Sequence, residues 1–513
     1  MSFPRLSFLL IALLGCSRGP EPKVILDCSE FEAVAYERLG VSAARQAYHH
    51  AETIRELRYR EAIEPGYFLR VTRDLVDQKK IDKGQVCYEH LFSVGRLLFE
   101  HEYNFTDGLG RDDAKTRADP FRKVHDGALG GPETNSCTSC HWRGGLTGSG
   151  AVQDNSQLFG DGTNISSADA RNPPALLGVG VAQLLAQEMS AELQAQKVAG
   201  IKKARKSGDA LRVELRSKGT EFGSLAIAAD GRVDTAKLVG IDSDLVVKPF
   251  GWRGEFATIR DFVMTSTQVH LGIQSEDLIA AQGGAGSKAL GKGPVEDPDG
   301  DGVVAELSAG QVTALVSYLS GLELPVVAPP KVLREFPAAA EGLNAPLEHN
   351  YYDRFTEGQR LFDDIGCALC HTPMMVLDSP IFATKSEVTG QVYSVDLSKK
   401  GEARLRYSEA LGGYPVWLFS DLKRHDLGEG AIGKHVSPGI KASSYLTRRL
   451  WGVADSSPYF YDGRAPTFDE AIAAHGGEGA FARDEFADLT AEEKGSLRLF
   501  LLSLRRTPRL LVP

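Results

Sequence analysis

The sequence predicts a mainly α protein in which two related helical domains follow each other, with small β-hairpin insertions and an N-terminal helical extension. Two observations support this prediction. The chain of 513 residues is longer than one hydrophobic core usually serves. Two of its segments also open alike, the first with GRLLF from Gly95 and the second with GQRLF from Gly358.

The two repeats also close in the same way. Ser308 to Gln311 and Thr490 to Glu493 both read S/T-x-x-Q/E, and each is followed by apolar residues at helical spacing. This pattern predicts a capped final helix in each repeat. Three prolines in residues 325–330 then stop the first repeat and form a linker. We therefore expect a helical extension over 17–88, a first domain over 89–324 and a second domain over 331–513.

Two segments depart from the helical pattern. Gly223 to Val247 partly alternates apolar and polar residues around Asp230-Gly231, which predicts a β-hairpin. Residues 376–420 are rich in Val, Tyr, Ser and Gly and indicate strands and loops. Both segments are expected to be local insertions rather than independent domains.

Residues 1–16 have the pattern of an export signal. The apolar stretch from Leu6 to Leu14 is far shorter than the roughly 20 residues that a spanning helix requires. It ends in LLGC at Cys16, which resembles the lipobox of bacterial lipoproteins and implies lipidation of Cys16. Because serine follows Cys16, the resemblance favours a periplasmic protein anchored to the outer membrane. The alternative is plain secretion with an incidental cysteine.

Composition limits the classes of partner. The net charge of −10 is spread along the chain, which argues against nucleic acid and is compatible with a cationic redox partner. Of the seven cysteines, Cys28 and Cys87 belong to no motif. Since an exported protein can form disulfides, we expect a Cys28–Cys87 bridge, with two free thiols as the alternative.

Two C-x-x-C-H motifs carry the chemistry, one in each repeat. They are Cys137-Thr-Ser-Cys140-His141 and Cys367-Ala-Leu-Cys370-His371. Covalent attachment of a c-type haem needs two thiols and an adjacent imidazole, and each motif supplies all three. A zinc site needs four ligands close together, whereas these motifs lie far apart. The sequence therefore predicts two covalently bound c-type haems in two cytochrome-c-like domains.

Further motifs resemble the bacterial di-haem oxidoreductases, a family described as peroxidases or thiol oxidoreductases within the wider di-haem cytochrome c peroxidase superfamily. The resemblance covers roughly residues 90 to 510. It rests on the segments Arg171–Gly178, Phe250–Trp252, Cys370–Pro373, Ser420–Asp426, Pro458–Arg464, Glu470–Ile472 and His475–Glu478.

The resemblance implies a second iron ligand for the C-terminal haem. In the superfamily this ligand follows the Pro-Tyr-x-x-x-Gly turn by about fourteen residues, and fourteen residues after Tyr461 is His475. We therefore expect a bis-histidine haem ligated by His371 and His475. The alternative is that His475 is a helix-end histidine facing solvent.

The first haem is expected to be different. The superfamily's distal histidine position corresponds to Asn164, and the internal repeat places Ser266 where the second unit has His475. Neither is a good iron ligand, so the His141 haem is expected to be open and reactive. His270 is the nearest titratable group to the family's catalytic glutamate position. It is a candidate acid–base group, a candidate iron ligand, or a hydrogen-bonded surface histidine.

The resemblance also implies an electron relay and a calcium ion. Trp252 corresponds to the tryptophan between the two haems of the superfamily, although a buried tryptophan also fits a core position. The calcium positions correspond to Asn172, Ser456 and Pro458. A second candidate calcium site, formed by half of an EF-hand-like loop, comprises Asp297, Asp299 and Asp301. A solvated acidic turn is its alternative.

These observations predict a peroxidase-like oxidoreductase. An external donor, such as a small cytochrome or cupredoxin, would reduce the second haem, and the first would reduce a peroxide. One alternative is a pure electron-transfer protein in which His270 or Met264 completes the first site. Another is a di-haem oxygenase resembling the rubber oxygenases. A thiol oxidase is disfavoured because haem consumes the motif thiols.

Overall fold

A computed structural model describes residues 46–110, 124–126, 132–281, 302–327, 347–434 and 439–506. Helix is the most frequent element in this part of the chain. Its helices are α1 Gln46–Ile63, α2 Tyr67–Leu75, α3 Gln78–Asp82, α4 Tyr88–Glu100, α5 Val179–Ser207, α6 Ile259–Ser266, α7 Glu276–Ala281, α8 Ala309–Ser320, α9 Leu347–Asp364, α10 Phe468–Ala473, α11 Ala480–Asp488 and α12 Ala491–Ser503.

The strands of the described residues form sheets of only two or three strands. They are β1 Val124–Asp126, β2 Ser156–Gly160, β3 Asp169–Arg171, β4 Leu211–Ser217, β5 Thr220–Ile227, β6 Val233–Leu238, β7 Val326–Val327, β8 Met375–Leu377, β9 Ile381–Lys385, β10 Val392–Asp396, β11 Tyr414–Val416, β12 Arg424–Asp426, β13 Ser444–Leu446 and β14 Leu504–Arg505. The predicted mainly α fold with small β insertions is confirmed at this level.

The internal repeat appears as two equivalent helix crossings. A Cβ atom on Gly95 in α4 would lie 2.0 Å from the Ala314 carbonyl oxygen in α8. A Cβ atom on Gly358 in α9 would lie 2.0 Å from the Ser496 carbonyl oxygen in α12. In each unit, therefore, only glycine lets the opening helix approach the closing helix this closely.

Both predicted capping boxes are confirmed. The Ser308 side chain accepts from the Gln311 amide, and Gln311 in turn accepts from the Ser308 amide. Thr490 and Glu493 make the same reciprocal pair at the start of α12. These contacts satisfy amide groups that the first turn of a helix leaves unpaired.

The predicted β insertions are confirmed as well. The hairpin of β5 and β6 turns through residues 228–232 and gains β4 as a third strand. Residues 376–420 contain short antiparallel pairs, β9 with β10 and β8 with β11. Apolar side chains of these pairs, such as Phe382 and Val416, share one core with the helices of the first unit. A smaller core around Phe362, Phe486 and Phe500 belongs to the second unit.

Several predictions lie wholly or partly outside the described residues. They include the export signal with Cys16, and Asp297, Asp299 and Asp301. Cys87 is disulfide-bonded, but Cys28 lies outside the described residues, so the pairing stays a prediction. Among the described residues, no helix is both long enough and apolar enough to cross a membrane.

Candidate functional site

The two C-x-x-C-H motifs fold alike. Each begins with a 3₁₀ turn, Cys137–Ser139 or Cys367–Leu369. The amide of His141 donates to the Cys137 carbonyl at 3.0 Å, and that of His371 donates to the Cys367 carbonyl at 2.9 Å. Burial raises the pKa of the Cys137 and Cys367 thiols to about 12. Each motif therefore presents a buried thiol and an imidazole from the same turn, as haem attachment requires.

In the second motif, two histidine rings face each other. The ring centroids of His371 and His475 lie 6.4 Å apart. With an iron–nitrogen distance of about 2 Å, two imidazoles on opposite sides of one iron would have centroids about 6 Å apart. The observed spacing fits an iron ion between the two rings.

Hydrogen bonds orient the same two rings. Nδ1 of His371 donates to the Phe419 carbonyl at 3.1 Å, and Nδ1 of His475 donates to the Ala471 carbonyl at 2.8 Å. Each bond fixes the tautomer and leaves Nε2 as the ligating atom. Burial lowers the pKa of both imidazoles, which favours the neutral form that binds metal. The geometry therefore supports the bis-histidine prediction.

His425 lies beside this second motif but is held by carboxylates. Its Nε2 lies 2.7 Å from Asp421 and its Nδ1 lies 2.7 Å from Glu478. Although burial opposes it, the hydrogen bond to Asp421 and the nearby Cys370 thiol raise the pKa of His425 to about 11. With both ring nitrogens engaged, His425 acts as a cationic bridge between two segments of the second unit.

The first motif has a different environment. Nδ1 of His141 donates to the Gly148 carbonyl at 3.3 Å, which again leaves Nε2 for a metal. Among the described residues, the aromatic ring that contacts His141 is Phe99, with centroids 6.3 Å apart. No histidine ring faces His141 there as His475 faces His371. This difference supports the prediction that the first site is open.

His270 belongs to a buried cluster near the first motif. Its Nδ1 lies 2.5 Å from Glu133, and Nε2 of His125 lies 2.5 Å from the other oxygen of the same carboxylate. The Ser156 hydroxyl donates to Glu133 at 2.8 Å. Although burial opposes ionisation, the charge of His270 and the bonds from both histidines hold the pKa of Glu133 well below its usual range. Glu133 is therefore an anion that joins two imidazoles.

The ligand atoms of His125, Glu133 and His270 all lie within 4.8 Å of one another, so the cluster could hold a metal ion as well as form hydrogen bonds. Ligands about 2.1 Å from one ion lie about 3 Å or more from each other. The contacts of Glu133 with His125 and His270 are both 2.5 Å, which is a short hydrogen-bond distance.

The backbone places His270 toward the first motif. Residues Thr267–Leu271 continue α6 as a π-helical turn, a feature that often occurs at functional sites. The amide of Glu133, four residues before Cys137, donates to the His270 carbonyl at 3.0 Å. Burial lowers the pKa of His141 to about 4, and the charge of His270 contributes to this shift, so the two rings lie near each other. Since Glu133 engages Nδ1, Nε2 of His270 is available for proton transfer.

Sequence reasoning found His270 but missed Glu133 and His125. The three residues lie on separate segments, the π-helical turn, the loop before Cys137 and strand β1. No local pattern marks Glu133 or His125 as partners. The one sequence feature that could have drawn attention to Glu133 is its position four residues before Cys137.

Met264 was the alternative ligand for the first site, whereas Asn164 and Ser266 mark positions where no good ligand was expected. Met264 is buried in the main core. The Asn164 side chain donates to Asp161 in an exposed turn. Ser266 is the last residue of α6.

Trp252 connects the surroundings of the two motifs. Its Nε1 donates to the Asn172 carbonyl at 2.8 Å, and Pro174, two residues later, offers its carbonyl to His141. On the other side, Trp252 packs against a cluster that contains Tyr445, Tyr461 and Phe460. These contacts place Trp252 between segments of the first and second units.

Two half-buried arginines test whether the site fits haem. Burial lowers the pKa of Arg448 to about 10 and that of Arg449 to about 9. Among the described residues no carboxylate forms a salt bridge with either guanidinium. Because charges removed from water without a salt-bridge partner are costly, an anionic group beside this pair would be favourable. Haem carries two propionates, so the residues present fit it.

The candidate calcium residues partly converge. A side chain on Gly463 would contact both Asn172 and Pro458. The Asn172 amide group, turned toward the Gly150 and Pro173 carbonyl oxygens, donates to both at 3.2 Å. With the opposite orientation of this amide, the Asn172 side-chain oxygen faces the Gly150 and Pro173 carbonyl oxygens. Oxygen is the donor type that calcium prefers. The hydroxyl of Ser456 donates to the Gly452 carbonyl, which leaves the Ser456 carbonyl as its candidate ligand.

Comparison with known proteins agrees with the motifs. Residues 338–504 match the family model described as "Di-haem oxidoreductase, putative peroxidase". The match confirms the family resemblance over these residues and implies haem as the cofactor. No curated protein matches the chain.

Two solved structures show weaker likenesses. Kuenenia stuttgartiensis hydrazine synthase is 14% identical, with 75% of this chain and 89% of that chain covered and a TM-score of 0.30. A MauG-like protein associated with microbial copper homeostasis is 18% identical, with 55% and 77% covered and a TM-score of 0.25. TM-scores this low establish neither a shared fold nor a shared activity.

Proposed function

We propose that this protein is an exported di-haem c-type cytochrome that acts as a peroxidase-like oxidoreductase. Electrons enter at the C-terminal bis-histidine haem of His371 and His475 and pass to the N-terminal haem of His141, where peroxide is reduced. The family match over residues 338–504 supports the di-haem oxidoreductase class.

The difference between the two histidine sites carries the proposal. His475 faces His371 at a spacing suited to one iron, which is typical of an electron-transfer haem. His141 lacks such a partner among the described residues, while His270 and Glu133 lie close by. An open iron position beside an acid–base group is what peroxide reduction requires.

The chain's own residues supply the proton chemistry. When bound, the haem at Cys137 and Cys140 supplies the iron and electrons that cleave the peroxide O–O bond. With its ring in the neutral form, Nε2 of His270 would take a proton from one peroxide oxygen and give it to the other, which leaves as water. The Glu133 carboxylate holds Nδ1–H of His270, so the ring stays oriented and its other nitrogen is more basic.

Electron supply involves Trp252 and an external donor. Contacts of Trp252 with Asn172 and with the Tyr445–Tyr461 cluster support its role as a relay between the haems. The net charge of −10 favours a cationic donor, such as a small cytochrome or cupredoxin, through faster encounter.

Location and calcium belong to the same proposal. The lipobox-like Cys16 supports a lipid anchor on the periplasmic face of the outer membrane. Replacing Cys16 by Ser should move the protein from the membrane fraction to the soluble periplasmic fraction. Asn172, Ser456 and Pro458 are proposed to bind a structural calcium ion, and chelation should then lower the thermal stability of the haem-loaded protein.

Low-temperature EPR of the oxidised, haem-loaded protein tests the proposed activity. We expect one high-spin signal, from the His141 haem, that disappears when peroxide is added, and one low-spin signal from the other haem. Two low-spin signals that do not change when peroxide is added, in both the oxidised and the half-reduced protein, would contradict the proposal. That outcome would instead indicate a cytochrome that only transfers electrons.

A further inference from the structure

Two stacked tyrosines lie in the region that joins the two units. The rings of Tyr445, on β13, and Tyr461 are nearly parallel, with centroids 4.5 Å apart and an interplanar angle of 11°. Both residues are buried, with exposed fractions of 4% and 6%. Such close stacking brings the two π systems into direct contact.

Arginines hold both phenol oxygens. The fully buried Arg253 donates to the Tyr445 oxygen at 3.1 Å, and its guanidinium carbon lies 4.4 Å from the centre of that ring. Arg464 donates to the Tyr461 oxygen at 2.6 Å. Arg171 lies 5.6 Å from the Tyr461 ring. Because these donors are fixed before any reaction, the oxygens can change their electronic state with little rearrangement.

The pair is continuous with aromatic rings on the side of the second unit. Phe460 lies 5.3 Å from the His475 ring and 6.3 Å from the Tyr461 ring, measured between centroids. On the other side the same cluster contacts Trp252, whose indole N–H reaches the segment beside His141. The tyrosines therefore lie between both proposed haem sites.

A proton acceptor lies next to the pair. A side chain on Gly433 would be 3.2 Å from the Asp169 carboxylate and equally 3.2 Å from the Tyr445 hydroxyl. The same point is 2.4 Å from Nη2 of Arg253, so the Arg253 guanidinium lies beside both groups, and Asp169 is the nearby carboxylate that can take up the phenol proton. A phenol there can lose its proton together with an electron.

We propose that the Tyr445–Tyr461 pair is an oxidisable site that supplies an electron to the first haem site when no external donor is bound. This inference rests on the proposed function. The phenol O–H bond breaks, the proton passes to Asp169, and the electron passes through Trp252. The product is a neutral phenoxyl radical shared by the stacked rings.

The electrons and protons balance with peroxide as the oxidant. Reduction of one peroxide to two waters takes two electrons and two protons. The tyrosine pair gives one electron and one proton, the haem iron gives the second electron, and solvent gives the second proton. A second oxidation of the pair would allow a carbon–carbon bond to form between the rings, with the loss of one hydrogen atom from each.

The test uses haem-loaded, full-length protein treated with peroxide without a donor and frozen at once. We expect an organic-radical EPR signal in the wild type that is lost in Tyr445→Phe and in Tyr461→Phe. Tyr459→Phe is the matched control, because Tyr459 is also a stacked tyrosine, 5.1 Å from Phe468, and it should keep the signal. Peptide mapping after excess peroxide should find a cross-link between the peptides that carry Tyr445 and Tyr461.

The outcomes separate this inference from the proposed function. If peroxide removes the high-spin haem signal but both Phe variants keep the full radical signal and no cross-link forms, the tyrosine inference is wrong and the peroxidase proposal survives. If peroxide leaves the wild-type haem signals unchanged, both are wrong. Unchanged haem absorption spectra in the Phe variants exclude misfolding as the cause of a lost signal.

Discussion

Replacing Glu133 by Gln tests the cluster beside the first haem motif. Glutamine keeps the shape of the side chain and removes its charge. The carboxylate accepts hydrogen bonds from His125, His270 and Ser156, so the substitution weakens three charge-assisted bonds and presents an NH2 donor to one of the two imidazoles. We therefore expect Glu133→Gln to lower both stability and the rate of peroxide reduction.

The size of the effect follows from these contacts. A hydrogen bond to a charged group contributes about 1.5–3 kcal/mol and a neutral one about 0.5–1.5 kcal/mol, so three bonds lose about 3 kcal/mol of unfolding free energy. The rate should fall by about 100-fold, near the lower end for loss of acid–base assistance, because His270 itself remains.

The stability effect depends on pH with a defined sign. The pKa of Glu133 is lower in the folded protein than in the unfolded chain, although burial opposes this, because of its two histidine partners. Its contribution is therefore fully present above the unfolded pKa of about 4.3 and is lost as the pH falls through the folded pKa. The stability difference between wild type and Glu133→Gln should shrink in acid.

Glu61→Gln is the matched control for this experiment. Glu61 is also a buried carboxylate with three donors, the amides of Gly66 and Phe68 and the side chain of Asn104. It belongs to α1, so its loss should reduce stability to a similar extent without changing the peroxide rate per bound haem.

Denaturant unfolding and peroxide stopped-flow measurements on haem-loaded protein provide the readouts. A wild-type peroxide rate in Glu133→Gln would refute the assigned role. Elemental analysis adds a second check. A stoichiometric non-haem metal that is present in wild type and absent from Glu133→Gln would show that the cluster binds an ion instead.

Three further predictions concern other parts of the chain. His475→Ala should convert the second haem from low spin to high spin in EPR and leave the first haem signal unchanged, whereas two unchanged signals would exclude His475 as a ligand. Arg449→Met should raise the melting temperature of the haem-free protein and lower that of the haem-loaded protein. The reason is that the Arg449 cation has a counter-charge only when a haem propionate is present. Equal shifts of the melting temperature in both forms would contradict this. Asp242→Asn should reduce stability at neutral pH, and the loss should fade in acid. Although burial opposes it, Arg424 and Lys248 lower the pKa of Asp242. The contribution of Asp242 to the free energy of unfolding is therefore lost as the pH falls through that pKa. A stability difference in urea unfolding that does not change with pH would show that the Asp242 charge is not its cause.

Features encoded within one segment could be predicted from the sequence. The capping boxes at Ser308 and Thr490 are satisfied by contacts three residues apart, so their residue types suffice. The glycines at 95 and 358 occur in matching positions because each helix crossing needs close backbone approach. The hairpin around Asp230-Gly231 follows from local alternation and turn residues.

Features formed between distant segments could not be predicted. Glu133, His125 and His270 meet only because β1, the loop before Cys137 and the turn after α6 pack together. The stacking of Tyr445 on Tyr461 depends likewise on the packing of separate segments. The helix Val179–Ser207 was also missed, since its polar second half contains few apolar residues at helical spacing.

The repeat shows where two related units differ in the placement of their histidines. Thr258 and Thr467 cap equivalent helices, and each side chain accepts from the amide three residues later. Eight residues after these caps stand Ser266 and His475. In the second unit the helix ends at Ala473, and His475 turns to face His371. In the first unit the helix continues into a π-helical turn, and the histidine appears at His270, four residues later.

His270 thus lies four residues beyond the position equivalent to His475, and it lies within a π-helical turn rather than in regular α-helix. The two units therefore present their histidines from different backbone positions. Glu133 fixes His270 through Nδ1, which holds the ring in this position. With a haem bound at His141, a small molecule would need room beside this ring, as the proposed function requires. Under the proposed function, this difference would distinguish an open site at His141 from the bis-histidine site of His371 and His475.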